Sequence, residues 1–327
     1  MRNFIKRSAL LIFASLFIWT GYWSAIAYAI EHVISLANEN SQISRPKIQF
    51  ELASVTGYPQ NFSIGITEVE MGNKDSFTWA TEEIILKAKS YQPNRVSLDL
   101  SEPHSVSGSI GAFEIDSEIA DLSVLLKPNL QLSLGSIEGF FKILKFSIAE
   151  RLSAEIETVS FRVDAFPGTE KSYKVIAEMD NLDLSEMLVS LPSDYQMIQN
   201  FSIAAEVELT RPLDRRSIGT GFPQLKMLFL HEALINYGAT SISLDARLVN
   251  KPTDNLDGTI NVTIQQWKAL FNLAKQLGYV QPNIEEFIYT TLTNLANQDG
   301  TEDTLTIPLS VNNNTISYGA LTLGVLH

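Results

Sequence analysis

The feature that most constrains the fold is an alternation of apolar and polar residues that recurs along most of the chain. Phe62, Ile64 and Ile66 show it, and many later segments repeat it. A period of two residues with one apolar side is typical of a half-buried antiparallel strand. Turn signals separate these segments at intervals of about 10–15 residues, which leaves little room for crossover helices. We therefore expect a β-rich α+β fold built on a large, mostly antiparallel and curled sheet.

The clearest interruption of this pattern is a stretch with helical spacing near the C-terminus. It predicts a helical hairpin over residues 265–297, in which Gly278 ends the first helix and Pro282 opens the second. The hairpin should pack its apolar stripe on the sheet. The stripe consists of Trp267, Leu270, Phe271, Ala274 and Leu277, followed by Ile284, Phe287, Ile288, Leu292 and Leu295. A short helix is also predicted over 185–191, before Pro192.

An uncharged apolar run, Ser8–Ile30, stands near the N-terminus. As a helix, its 23 residues would reach about 34 Å, enough to cross a bilayer core. Three basic residues, Arg2, Lys6 and Arg7, precede it, and basic flanks stay on the cytoplasmic side of a membrane. We therefore expect a single-pass protein of a bacterial inner membrane, with residues 31–327 in the periplasm.

The same run is also compatible with a cleaved secretory signal, because Ala27-Tyr28-Ala29 fits a small-x-small cleavage site after Ala29. Two features favour a retained anchor. The run is longer than a usual signal core, and its second half contains Trp19, Tyr22 and Trp23. Bulky aromatic residues at a membrane interface are typical of an anchor. Both interpretations place the rest of the chain outside the cytoplasm.

The predicted organisation has five parts. They are an N-terminal tail and transmembrane anchor over 1–30, a juxtamembrane helix or linker over 31–44, a β-rich exported domain over 45–210, a loop or linker over 211–224, and C-terminal strands with the hairpin over 225–327.

Charge and residue usage exclude several classes of function. The three basic residues before the apolar run leave 21 basic against 37 acidic residues after it, a formal charge of −16. This charge disfavours nucleic acid and an anionic membrane surface as partners, because both require a basic face. Without cysteine, the chain has no disulfide, cysteine zinc site or thiol catalyst. The four histidines are scattered, and no HExxH or GxSxG motif is present. We expect no metal, no cofactor, no catalytic residue and no enzymatic activity.

The alternation leaves two arrangements of the sheet open. A curled sheet that no second layer covers presents an apolar groove suited to acyl chains, whereas a sandwich has a filled core. The residues predicted to line such a groove or core are Phe62, Ile64, Trp79, Leu98, Trp267 and Phe271.

Short motifs at both ends of the chain carry a family resemblance. They are Gly21-Tyr22-Trp23, Val55-Thr56-Gly57-Tyr58-Pro59, Phe77-Thr78-Trp79-Ala80, Ser90-Tyr91-Gln92-Pro93, Asp257-Gly258-Thr259-Ile260 and Tyr318-Gly319-Ala320-Leu321. In this order they resemble an alphaproteobacterial family, domain of unknown function 2125, over residues 20–325. The middle of the chain matches in pattern only. This family has no assigned activity, so the resemblance implies no catalytic residues.

The singly anchored, β-rich design is more distantly similar to AsmA-like proteins of the bacterial envelope. That resemblance implies envelope maintenance, with binding or chaperoning of lipid in a groove. The partners it implies are lipid of the inner membrane and envelope proteins. The alternative is a non-enzymatic envelope scaffold or protein-interaction module with a filled β core.

Overall fold

A computed structural model describes most of the chain. The described residues are 2–41, 47–73, 77–108, 111–148, 152–217, 222–251, 255–298 and 301–326.

Within these residues the chain forms three α-helices, one short 3-10 helix and sixteen strands. The helices are α1 (Arg2–Ser41), α2 (Trp267–Gln276) and α3 (Glu285–Gln298), with the 3-10 helix at Ser193–Tyr195. The first eight strands are β1 (Lys47–Thr56), β2 (Asn61–Asn73), β3 (Phe77–Lys89), β4 (Gln92–Asp99), β5 (His104–Gly108), β6 (Gly111–Leu126), β7 (Leu134–Ile148) and β8 (Leu152–Ala165). The other eight are β9 (Ser172–Asp183), β10 (Met197–Leu209), β11 (Leu225–Tyr237), β12 (Thr240–Asn250), β13 (Leu256–Gln265), β14 (Thr304–Asn312), β15 (Thr315–Tyr318) and β16 (Leu321–Val325).

The chain divides into two compact units. Unit 1 comprises residues 1–128 and 145–151, and unit 2 comprises residues 129–144 and 152–327. The sheets in both units are antiparallel, which confirms the predicted fold class. The predicted five-part organisation, with a division at 211–224, stays a prediction.

In unit 1 the strands pair in the order β1-β2-β3-β4-β6, and β5 pairs with both β3 and β6. Strand pairing aligns apolar residues across the unit. Ile64 in β2 pairs with Leu86, Leu86 pairs with Leu98, and Leu98 pairs with Leu122 in β6. Because directly paired residues point to the same side, these four leucine and isoleucine side chains share one face.

In unit 2 the strands from β8 to β16 pair strictly in sequence order. The 3-10 helix lies between β9 and β10, and α2 and α3 lie between β13 and β14. The segment after β10 is held to the same unit. The Leu213 amide donates to the hydroxyl of Tyr173 at 2.8 Å, and the Leu134 amide donates to the Leu213 carbonyl at 2.8 Å.

The helical hairpin packs on the sheet of unit 2, as its sequence predicts. Trp267 and Phe271 of α2, Ala296 of α3 and Leu305 of β14 form a buried cluster. The first helix ends where expected, since Gly278 has a φ of +77° and its amide donates to the Lys275 carbonyl.

Three residues of the predicted stripe do not face this cluster. Leu277, Ile284 and Phe287 are exposed, while Leu273 is buried in place of Leu277. The stripe of α3 that does face the sheet is Ile288, Leu292 and Leu295. Phe287 lies one position before Ile288. Because an α-helix rotates by about 100° per residue, the Phe287 side chain points away from the side that faces the sheet.

The helix predicted over 185–191 is not formed. Residues 185–191 make successive turns instead. The amides of Met187 and Leu188 both donate to the Leu184 carbonyl, and Leu191 donates to Leu188. A helix this short pays the full cost of nucleation for very few hydrogen bonds, so it is marginal without a packed apolar stripe.

Candidate functional site

The candidate site in unit 2 is one continuous apolar side of its sheet. A row of paired residues crosses seven strands without a polar member. It consists of Phe161, Ala177, Ile203, Ala233, Leu244, Val262 and Ile307. A second apolar row runs beside it from Val159 to Leu305, and a third from Val163 to Leu309. We call these three rows the apolar face.

The large side chains of the apolar face are shielded but not buried where it crosses β8 to β11. The half-buried side chains there are Val159, Phe161, Val163, Met179, Phe201, Ile203, Leu230 and Ile235. The inner face of a filled sandwich would bury such residues completely. Partial burial is what neighbouring strands provide without a second layer. The other end of the face is covered, because α2 and α3 pack against Ile264 and Ile307.

In unit 1, α1 docks on the start of β2 through aromatic side chains. The indole Nε1 of Trp23 donates to the Asn61 carbonyl at 3.0 Å, and that of Trp19 donates to the Pro59 carbonyl at 3.0 Å. The Tyr22 hydroxyl donates to the Ser90 carbonyl at 3.0 Å. The Trp23 ring also stacks on Phe62, with ring centroids 5.4 Å apart and planes 18° apart. These contacts join α1 to unit 1 through both polar and apolar surface.

The two ends of the apolar run in α1 have different surroundings. Phe13, Leu16, Phe17 and Ile18 are exposed, whereas Ala27 is buried against the unit. The stretch Phe13–His32 is long and apolar enough to cross a membrane. Among the described side chains the docking contacts begin at Trp19, and the exposed Phe13, Phe17 and Ile18 precede it.

Unit 1 also contains a cavity of about 610 Å³ on the polar side of its sheet. Three cationic side chains line it: Lys87, Lys89 and Arg95. The remaining lining is largely polar, with Asn61, Ser63, Gln92, Ser97 and Ser123. We call this cavity the basic pocket. The sequence does not reveal this pocket, because lysine and arginine at alternate strand positions are indistinguishable from ordinary solvated residues until the register brings them together.

The residues predicted to line a groove or core separate into three places. Ile64 and Leu98 share the apolar side of unit 1. Phe62, on the same side, is 1% exposed because Trp23 covers it. Trp79 pairs with Met71 of β2 and Val106 of β5, and its ring contacts His104. Trp267 and Phe271 belong to the buried cluster under the hairpin in unit 2.

Several charged groups of the described residues form structural pairs. No group of three or more metal-ligating side chains occurs among them. In unit 2, Arg216 bonds both carboxylate oxygens of Asp214, which holds the pKa of Asp214 below its usual value. Lys251 and the Asn313 amide lower the pKa of Asp257 in the same way. Burial raises the pKa of Tyr173.

Comparison with known proteins gives one match. The model of a bacterial family described as "Uncharacterized protein conserved in bacteria", DUF2125, matches residues 23–327. The chain belongs to this family. The DUF2125 match begins at Trp23, so it includes this one of the three docking aromatic residues of α1, together with the basic pocket and the apolar face. No curated protein and no solved structure matches the chain.

Proposed function

We propose that this DUF2125 protein is anchored in the bacterial inner membrane by α1 and binds or chaperones lipid in envelope maintenance. It acts without catalysing a reaction. The observation that carries the proposal is the apolar face. Its three rows of side chains cross seven strands, and the large side chains stay half-buried over β8 to β11. Such a surface is costly to leave in water, at about 25 cal/mol per Å². Acyl chains match both its chemistry and its extended form.

The proposed topology follows from the two ends of α1. The uncharged stretch between Arg7 and Trp23 rises by about 24 Å. This is less than the hydrocarbon core of about 30 Å, and the long side chains of Lys6 and Arg7 reach the cytoplasmic interface beyond its start. The basic residues near the start of the chain favour a cytoplasmic N-terminus. Trp19, Tyr22 and Trp23 then lie at the outer interface, a level that Trp and Tyr prefer. In this arrangement both units follow in the periplasm. The AsmA-like resemblance supports the same placement.

Photocrosslinking tests the lipid-binding face directly. Benzoylphenylalanine in place of Phe201, on the apolar face, should capture phospholipid when the full-length protein is irradiated in cells. The matched control is the same residue in place of Ser202, which follows in β10 and points to the other side. Mass spectrometry of the crosslinked protein identifies the captured molecule.

The two positions give separate outcomes. Phospholipid on Phe201 and not on Ser202 supports the proposal. Equal labelling at both positions, or a protein that never carries lipid at either, overturns it. A defined envelope protein captured at Phe201 in place of lipid would instead support the scaffold alternative.

A further inference from the structure

The basic pocket is exceptional in a chain whose formal net charge is −13. Three cations, Lys87, Lys89 and Arg95, line it, and no carboxylate does. Self-repulsion within such a cluster favours an anion that neutralises it. The cavity volume of about 610 Å³ lies within the usual range for small-molecule sites.

Strand register explains why the cations converge. Ser63 pairs with Lys87, Lys87 pairs with Ser97, and Ser97 pairs with Ser123, so one row of four polar residues crosses the pocket floor. Lys89 lies two residues beyond Lys87 on the same side of β3. Arg95 lies two residues before Ser97 on β4, next to the end of β3 that contains Lys89. Each side chain of the row is a hydrogen-bond donor.

Little of this positive charge is neutralised within the protein. Lys87 lies 3.7 Å from Asp99, in an exposed ion pair of the kind that contributes little. The Lys89 ammonium lies 5.7 Å from the centroid of the Tyr91 ring. Within the described part of the chain, neither Lys89 nor Arg95 forms an ion pair with a carboxylate. The pocket therefore retains a net positive charge.

The location of the pocket identifies the source of the anion. Asn61, which lines the pocket, also accepts the hydrogen bond of Trp23 through its carbonyl. Ser90, next to Lys89, accepts the bond of Tyr22. Tyr58 and Tyr91 at the same end are exposed. The pocket thus lies beside the interfacial aromatic residues of α1, at the depth of lipid headgroups.

We propose that the basic pocket binds the phosphate of an anionic phospholipid from the leaflet at which α1 emerges. Arg95 offers a guanidinium fork for two phosphate oxygens, and the two lysines add point charges. A zwitterionic headgroup is bound less well, because the three cations of the pocket repel its own cationic group. This inference rests on the proposed anchoring by α1 and names the lipid class that unit 1 selects.

The experiment compares two charge-matched triple variants of the full-length protein. The first combines Lys87→Gln, Lys89→Gln and Arg95→Gln. The control combines Lys171→Gln, Lys174→Gln and Arg247→Gln, three exposed cations of unit 2. Each protein is exchanged into mixed micelles with equal amounts of phosphatidylglycerol and phosphatidylethanolamine, and native mass spectrometry counts the lipids retained. Thermal unfolding checks that both variants fold.

The wild-type protein and the control should retain phosphatidylglycerol preferentially. The pocket variant should lose that preference by about tenfold, as expected for the loss of charge-assisted hydrogen bonds. Arg95→Lys alone should lose part of it, since it keeps the charge but not the fork. Wild-type protein that retains both lipids equally overturns the inference while leaving lipid binding intact. Protein that retains no lipid overturns the proposed function as well.

Inorganic phosphate separates a headgroup site from a site for the free ion. If the pocket binds a membrane lipid, phosphate added to the micelles should displace little phosphatidylglycerol. Displacement at phosphate concentrations that also protect the lipid-free protein against heat would assign the pocket to the free ion and overturn the lipid as its ligand.

Discussion

Ser90 is a completely buried serine, 0% exposed, whose hydroxyl group has no hydrogen-bond partner in the described part of the structure. Ser133 is equally buried at 1%, but its hydroxyl accepts a hydrogen bond from Asn129 at 3.2 Å. A buried polar group without a partner costs about 1–3 kcal/mol, whereas a satisfied one contributes about 1 kcal/mol. The two serines therefore allow a direct comparison between a buried hydroxyl without a hydrogen-bond partner and one with a partner.

We expect Ser90→Ala to raise the free energy of unfolding by about 1 kcal/mol. Ser133→Ala should lower it by about 1 kcal/mol, because it leaves the Asn129 amide without its acceptor. Urea unfolding of both variants in detergent measures the two changes. A loss of stability in Ser90→Ala would show that its hydroxyl is satisfied, for example by a buried water molecule.

Asp214 provides a pH-dependent test at the scale of one residue. Its carboxylate is bonded by Arg216, so its pKa in the folded protein lies below the unfolded value of about 3.9. The stabilisation is then complete above the unfolded pKa and is lost as pH falls through the folded pKa. Asp214→Asn should be less stable than wild type at neutral pH, and the difference should shrink as pH falls below about 4. Urea midpoints over this range measure it, and a constant difference would contradict the assignment.

At the scale of elements, the helical hairpin supplies a clean comparison between two phenylalanines. Phe271 in α2 is 8% exposed and packs against Trp267 and Tyr289, whereas Phe287 in α3 is 74% exposed. Phe271→Ala should cost about 3–5 kcal/mol, as large-to-small core changes do. Phe287→Ala should change stability by less than about 0.5 kcal/mol. Chemical unfolding of both variants measures this, and a cost under about 1 kcal/mol for Phe271→Ala would mean that the hairpin is loosely packed.

The hairpin also shows what a sequence pattern does not predict, namely which of two neighbouring apolar side chains faces the sheet. Spacing predicts both helices to within a few residues and predicts Trp267 and Phe271 as core. It does not separate Ile288, which faces the sheet, from Phe287, which does not. Both lie at helical spacing, and only the position of the helix against β14 decides between neighbouring side chains. The failed helix at 185–191 has a similar cause, because a local pattern there has no tertiary surface to support it.

At the scale of the whole chain, alternation predicts that strands exist and which side of each is apolar. It does not predict which residues of different strands stand next to each other. That register pairs Leu98 with Leu86 and Trp79 with Val106. It also brings Lys87, Lys89 and Arg95 into one pocket. Long-range contacts such as the bond from Trp23 to Asn61 have no signal in a single sequence.

The docking of α1 provides the physical argument that the anchor is retained. Cleavage after Ala29 would remove Trp19, Tyr22 and Trp23, with three hydrogen bonds to the start of β2 and the turn before β4. It would also uncover Phe62, which is now 1% exposed under the Trp23 ring. Exposing a buried phenylalanine costs about 1.5–3 kcal/mol, so a processed protein would lose stability and gain an exposed apolar surface.

We therefore expect the mature protein to keep its residues before Ile30 and to require detergent for release from membranes. Mass spectrometry of the membrane-extracted protein should find peptides that contain Trp19 and Trp23. Trp23→Ala should leave the anchor in place but lower the stability of unit 1 by about 1.5–3 kcal/mol, because it uncovers Phe62, and Tyr28→Ala, on an exposed side of the same helix, is the control. A mature protein that starts at Ile30 and is released by alkaline washing would contradict a retained anchor, because the aromatic contacts that hold α1 to β2 would then be absent from the working protein.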